Sequence, residues 1–119
     1  MNRYIILLAM PVLTVYSCSS YTEEQRAELE RGSEVYIAHC VSCHGTDGDG
    51  MSGAYPTLLK PNIAKVNTDR AIKLIREGSG FEGGMKPIAL TDQELVEVVN
   101  YIQNTWGNKA EFIADTSTQ

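Results

Sequence analysis

Soft-metal and thioether chemistry in this chain is confined to a few residues: three cysteines, two histidines and four methionines. Two of the cysteines stand beside a histidine as Cys40-Val41-Ser42-Cys43-His44. Thiols at this spacing on a helical turn can each add to one vinyl group of the same haem. The histidine next to the second thiol then lies under the porphyrin with its imidazole at the iron. Two other chemistries fit the motif less well. A thioredoxin-type redox pair requires a strand–helix context that the surrounding sequence lacks. A structural zinc site needs four ligands, usually from two separated pairs, and beyond this cluster the nearby chain offers only His39.

The iron's sixth position needs a donor from the far side of the ring. His39 immediately precedes Cys40, so its backbone is tied to the attachment turn, and it reads as an ordinary helix residue. Met1 and Met10 fall in an apolar leader. Met51 follows His44 within the same loop, whereas Met85 is separated from it by a further predicted helix and follows the pair Gly83-Gly84. That length and flexibility favour Met85 as the ligand. The alternative is that Met85 packs against the ring, as soft thioether side chains often do.

The third cysteine has a different context. After Met1-Asn2-Arg3 comes an apolar run over residues 4–16, then Val15-Tyr16-Ser17-Cys18. The run is shorter than the roughly 20 residues a membrane-spanning helix needs, and it has the size of the apolar region of a secretory signal. Its end resembles the lipobox of bacterial lipoproteins, in which the cysteine is lipidated. The expected organisation is a lipoprotein signal over 1–17, a tether over 18–24, one domain over 25–107 and a tail over 108–119. With Cys18 assigned to a lipid and Cys40 and Cys43 to one motif, no stray thiol remains.

The elements that must position these residues are helical. Residues 23–41 form a helix without proline, its apolar face marked by Ala27, Val35 and Ala38, with Gly32 inside it. Residues 45–62 are a glycine- and proline-punctuated loop in which Asp47-Gly48-Asp49-Gly50 reads as a solvated turn. Thr68 is expected to cap a helix over 69–77 that ends at Gly78. A second loop carries Met85, and Thr91-Asp92-Gln93-Glu94 fits a capping box. The helix behind it places Leu95, Val98, Val99 and Ile102 on one face and is expected to run to Gly107. No segment alternates like a strand. The expectation is an all-α domain of three main helices and two long loops wrapped around a large apolar group.

The formal net charge is −5, and the basic residues form no run interleaved with aromatics, which argues against a nucleic-acid partner. Six cations nevertheless gather between positions 60 and 86: Lys60, Lys65, Arg70, Lys73, Arg76 and Lys86. They form a candidate basic rim for an acidic redox partner.

Residues 25–106 resemble the class I, monohaem c-type cytochromes. The likeness rests on Cys43-His44-Gly45-Thr46-Asp47-Gly48, on Tyr55-Pro56-Thr57-Leu58 and on Met85-Lys86-Pro87. In that family the methionine is usually followed directly by proline, and Lys86 departs from this pattern. The resemblance implies one covalent haem c on Cys40 and Cys43, with iron held axially by His44 and Met85. The Pro56 carbonyl would accept a hydrogen bond from the axial histidine. Gly32 and Tyr36 would cross the last helix against Tyr101 or Trp106. It further implies an electron carrier and not an enzyme, with no small-molecule substrate, exchanging electrons with a quinol-oxidising complex or a terminal oxidase. Its place would be the bacterial cell envelope, held to a membrane through lipid on Cys18. Without Met85 on the iron, a gas sensor or weak peroxidase is the alternative; a fixed subunit of a respiratory complex is another.

Overall fold

Thr22 starts the first helix with a reciprocal cap. Its Oγ1 accepts from the Gln25 amide at 3.1 Å, and Gln25 Oε1 accepts from the Thr22 amide at 2.9 Å. In the computed structural model, which describes residues 20–59 and 67–116, this helix, α1, spans Glu23–His39. It stops earlier than the pattern predicts. Cys40 turns out of register (φ −118°), and a single further turn, α2 (Val41–His44), carries Cys43 and His44. α3 spans Thr68–Glu77 and α4 spans Asp92–Asn104. The described residues are all-α, with no strand and one isolated bridge pair, Met51 with Tyr55. The leader over 1–17, Cys18, Lys60 and Lys65 lie outside the described residues.

Two helix ends differ from expectation. Asn67, and not Thr68, caps α3: its Oδ1 accepts from the Arg70 amide at 2.8 Å, while Thr68 is the first helical residue. α4 ends at Asn104, short of Gly107, because Thr105 is extended and Trp106 takes a left-handed backbone (φ 54°). Its start is as expected. Thr91 Oγ1 accepts from the Glu94 amide at 3.2 Å, and Glu94 Oε2 accepts from the Thr91 amide and hydroxyl at 2.8 Å each. These bonds to its charged form hold the Glu94 carboxyl below its ordinary value. A lowered folded value stabilises the fold above the unfolded value and loses that contribution as pH falls through the folded one. Loss of the N-cap oxygen in Thr91→Ala is expected to cost about 1 kcal/mol at neutral pH. The gap from wild type should narrow on acidification, as denaturant melts at neutral and acidic pH would show.

One core joins the helices: Tyr36, Ile72, Ile75, Leu95, Val98, Val99 and Ile102. The α4 stripe read from the sequence is buried as expected, and Gly32 and Tyr36 cross it as the resemblance implies, but the apolar face of α1 is not the one its alanines marked. Ala27 and Ala38 are exposed, and α1 buries Gly32 and Tyr36, with Val35 at the edge. The reason is backbone approach. A Cβ on Gly32 would stand 2.8 Å from Tyr101 Cβ and closer still to the Glu97 carbonyl, so α1 and α4 touch main chain to main chain there. Around this crossing Tyr36, Tyr101 and Trp106 form a mutual aromatic cluster, with ring centroids 5.1–5.5 Å apart.

α4 also buries polar side chains that its apolar period does not reveal. Glu97 is 6% exposed and bonds Arg31 Nε at 2.6 Å and Gln93 Nε2 at 3.0 Å. Asn100 holds the stretch after Gly107: its Nδ2 donates to the Ile113 carbonyl and its Oδ1 accepts from the Ile113 amide, both at 2.9 Å. Asn104 Oδ1 accepts from the Ala110 amide at 3.1 Å. Residues 108–116 are thus docked along the last helix.

Candidate haem-attachment site

The attachment turn is set by α2. Cys43 N donates to Cys40 O at 3.2 Å and His44 N to the same carbonyl at 2.9 Å, so the two thiols and the imidazole leave one tight turn. Neither thiol is in a disulfide; Cys40 is half-buried against the core and Cys43 is exposed. Burial, reinforced by the neighbouring Cys43 sulfur, pushes the Cys40 thiol up to about 11, so it stays protonated through the neutral range.

The histidine is oriented from the following loop. His44 Nδ1 lies 3.1 Å from the Pro56 carbonyl. A carbonyl only accepts, so Nδ1 carries the proton, and in the neutral ring Nε2 presents its lone pair. The loop is folded to deliver that carbonyl. Gly50 N donates to His44 O at 2.8 Å, and Leu58 N donates to Gly48 O at 2.8 Å. Gly50 has a left-handed backbone (φ 72°), and a Cβ there would sit 2.7 Å from the Pro56 oxygen; a side chain would displace the acceptor. On the helix side, the Tyr36 hydroxyl donates to the Gly45 carbonyl at 2.7 Å, and burial raises its pKa so that it remains a donor.

Met85 sits in the second loop with its backbone pinned. Its carbonyl accepts from the Ser79 amide at 2.9 Å, and Ile88 N donates to Ile75 O at 2.8 Å just beyond. The Met85 side chain is half-buried against the same core that Cys40, Leu58 and Trp106 border. Cys40, Cys43, His44 and Pro56 are therefore joined by direct bonds and sequence, while Met85 and Cys40 border the same apolar core. Large apolar side chains stand exposed in the two flanking loops: Met51 (58%), Tyr55 (41%) and Phe81 (68%). Two thiols, an imidazole with a free Nε2, a thioether and apolar loop walls are the donor set and surroundings a thioether-linked haem requires. Among the described residues, no group of three or more His, Cys, Asp or Glu could hold a bare metal ion.

Residues 27–102 match the family described as cytochrome c oxidase, cbb3-type, subunit III. The chain belongs to that family of c-type cytochromes. Its cofactor is covalently bound haem c with iron, and its function is haem-based electron transfer. Among similar proteins, cytochrome c-554(548) of Halomonas halodenitrificans is 34% identical over 57% of this chain and 86% of its own length. Cytochrome c-552 of Thermus thermophilus is 30% identical over 65% of the chain and 69% of its own. The cytochrome c subunit of a quinone-dependent alcohol dehydrogenase from Gluconacetobacter polyoxogenes is 30% identical over 66% of the chain. This cytochrome spans only 19% of that subunit's length.

Sequence reading of the cytochrome missed the supports behind the site. The Tyr36 hydroxyl on Gly45 had no local signal. The polar interior of α4 did have one: Asn100 and Asn104 stand four residues apart, the spacing of one helical face.

Proposed function

We propose that this cytochrome is a lipid-anchored, single-electron carrier of the bacterial cell envelope whose iron is held axially by His44 Nε2 and Met85. The haem supplies a one-electron ferric/ferrous couple. The observation that carries the axial assignment is the 3.1 Å contact from His44 Nδ1 to Pro56, which leaves Nε2 as the donor atom. That bond also raises the basicity of the ring. Met85, a neutral thioether, favours ferrous iron, and with both axial positions occupied the site has no place for oxygen or peroxide. Cys18 is the proposed lipid attachment point. Among the described residues no helix is long and apolar enough to cross a membrane, so membrane association there would depend on covalent acyl chains.

The proposed partners are a quinol-oxidising complex as donor and a terminal oxidase as acceptor. The basic rim would favour an acidic partner less than the bare sequence suggests. Arg76 pairs with Asp92, and Lys73 lies 3.9 Å from Glu77, so that among the described residues Arg70 and Lys86 are the rim's exposed cations without a described ion pair. A second reading, a fixed cytochrome subunit of a quinone-dependent dehydrogenase, is favoured by the relative of that name. Co-purification with a dehydrogenase after detergent extraction would select the second reading. The axial assignment is tested by adding carbon monoxide to the reduced protein at neutral pH. An unchanged low-spin spectrum supports it, and rapid, complete binding refutes it.

A further inference from the structure

Pro56 holds the histidine, but little of Pro56 itself is held by packing, since the residue is exposed and its nitrogen has no hydrogen to donate. Its carbonyl direction must be fixed by its neighbours. One of them is gripped from the opposite end of the chain. Asn108, 3% exposed, donates from Nδ2 to the Leu58 carbonyl at 3.0 Å and to the Ile102 carbonyl at 2.9 Å. Ile102 O is one of the last four carbonyls of α4, which have no partner within the helix. The two amide hydrogens of Asn108 therefore tie the end of α4 to the loop two residues past Pro56.

The approach to Asn108 is itself constrained. Trp106 is the only non-glycine residue with positive φ among the described residues (φ 54°), a strained conformation that such a side chain rarely adopts. It brings the indole against the loop at Gly48, where a Cβ would lie 2.7 Å from the ring. The Gly48 carbonyl in turn accepts from Leu58 N at 2.8 Å and from Thr57 Oγ1 at 3.2 Å. Indole and amide thus grip both strands of the loop between which His44 and Pro56 meet. An ordinary helix end would need neither the strained Trp106 nor a bond to Leu58.

We infer that Asn108 is a positioning residue for the haem iron: by fixing Leu58 it holds the Pro56 carbonyl on His44 Nδ1–H and so tunes the imidazole's donor strength. The inference rests on His44 binding iron, as proposed above. A firmly held acceptor makes the imidazole more basic and favours ferric iron; a loosened one favours ferrous iron.

The test compares Asn108→Leu with Asn104→Ala in the haem-loaded protein. Asn104 stabilises the same helix end but bonds Ala110 and Asn100, not the loop. Asn108→Leu should shift the ferrous/ferric equilibrium about threefold toward ferrous, roughly 28 mV upward for one electron. It should also speed solvent exchange of the His44 Nδ1 proton about tenfold, read by NMR. Asn104→Ala should lower the melting temperature and leave both readouts at wild-type values. Should Asn108→Leu fail to accumulate, Asn108→Ser, which keeps one donor, takes its place with a smaller shift in the same direction. Destabilisation by the Asn108 variants with an unmoved potential and exchange rate overturns the inference. Absence of any iron-shifted Nδ1 proton from His44 in the wild type would instead refute the ligand reading beneath it.

Discussion

Replacing Met85 with alanine is expected to lower the reduction potential and to let carbon monoxide bind the ferrous iron. On the axial assignment proposed above, the substitution removes a neutral, soft donor that stabilises ferrous iron and leaves water or nothing in its place. Axial ligation sets potentials over a range of about 0.8 V, so a fall on the order of 0.2 V is expected. The loop itself should survive. Ser79 bonds the Met85 main chain, not its sulfur, and that bond persists in alanine. Loss of the half-buried side chain removes packing against the core, at the low end of the roughly 2–5 kcal/mol seen for Met→Ala. A cyclic voltammogram and a carbon monoxide titration of the reduced variant check this directly. An unchanged potential together with no carbon monoxide binding would remove Met85 from the iron.

Gly32→Val should be the most damaging single substitution in the helical frame. An exposed mid-helix glycine gains about 1 kcal/mol on replacement by alanine, since glycine loses more backbone freedom on folding. Here the sign reverses, because any Cβ meets the Glu97 carbonyl and the Tyr101 side chain. Relief requires α1 and α4 to separate, which disturbs the Tyr36, Tyr101 and Trp106 cluster and the Arg31–Glu97 bond at the same crossing. Overpacking of this kind costs about 1–3 kcal/mol for small intrusions, and valine adds two further methyl groups. A loss of 3 kcal/mol or more, out of the about 5–15 kcal/mol typical of a domain, is expected in urea denaturation. A variant as stable as wild type would mean that the helices do not meet at Gly32.

The candidate site stands out in the sequence because the chemistry proposed for it dictates spacing. On the proposed attachment two thiols must reach one ring and the imidazole must follow, so Cys40, Cys43 and His44 can be read from spacing that needs no tertiary information. Capping boxes are equally local, which is why Thr91 was placed correctly. Asn67 and Thr68 are both good caps, and only the fold decides between them. Less legible were contacts whose partners lie far along the chain. Arg31 with Glu97 and Asn108 with Leu58 give no local pattern. The apolar face of α1 was misread for a related reason. Alanines marked the helix period, but the close approach is made by a glycine, which carries no hydropathy signal. The docked stretch over 108–116 was opaque because its anchors are the asparagines of α4.

All of this depends on a haem bonded to the chain through two sulfurs. The direct measurement is the mass of the peptide containing Cys40 to His44, from protein produced where haem-ligation machinery is present, under denaturing and reducing conditions. The account predicts that the peptide carries the mass of one haem, with neither thiol open to alkylation. A peptide of unmodified mass with both thiols free to alkylate would contradict it.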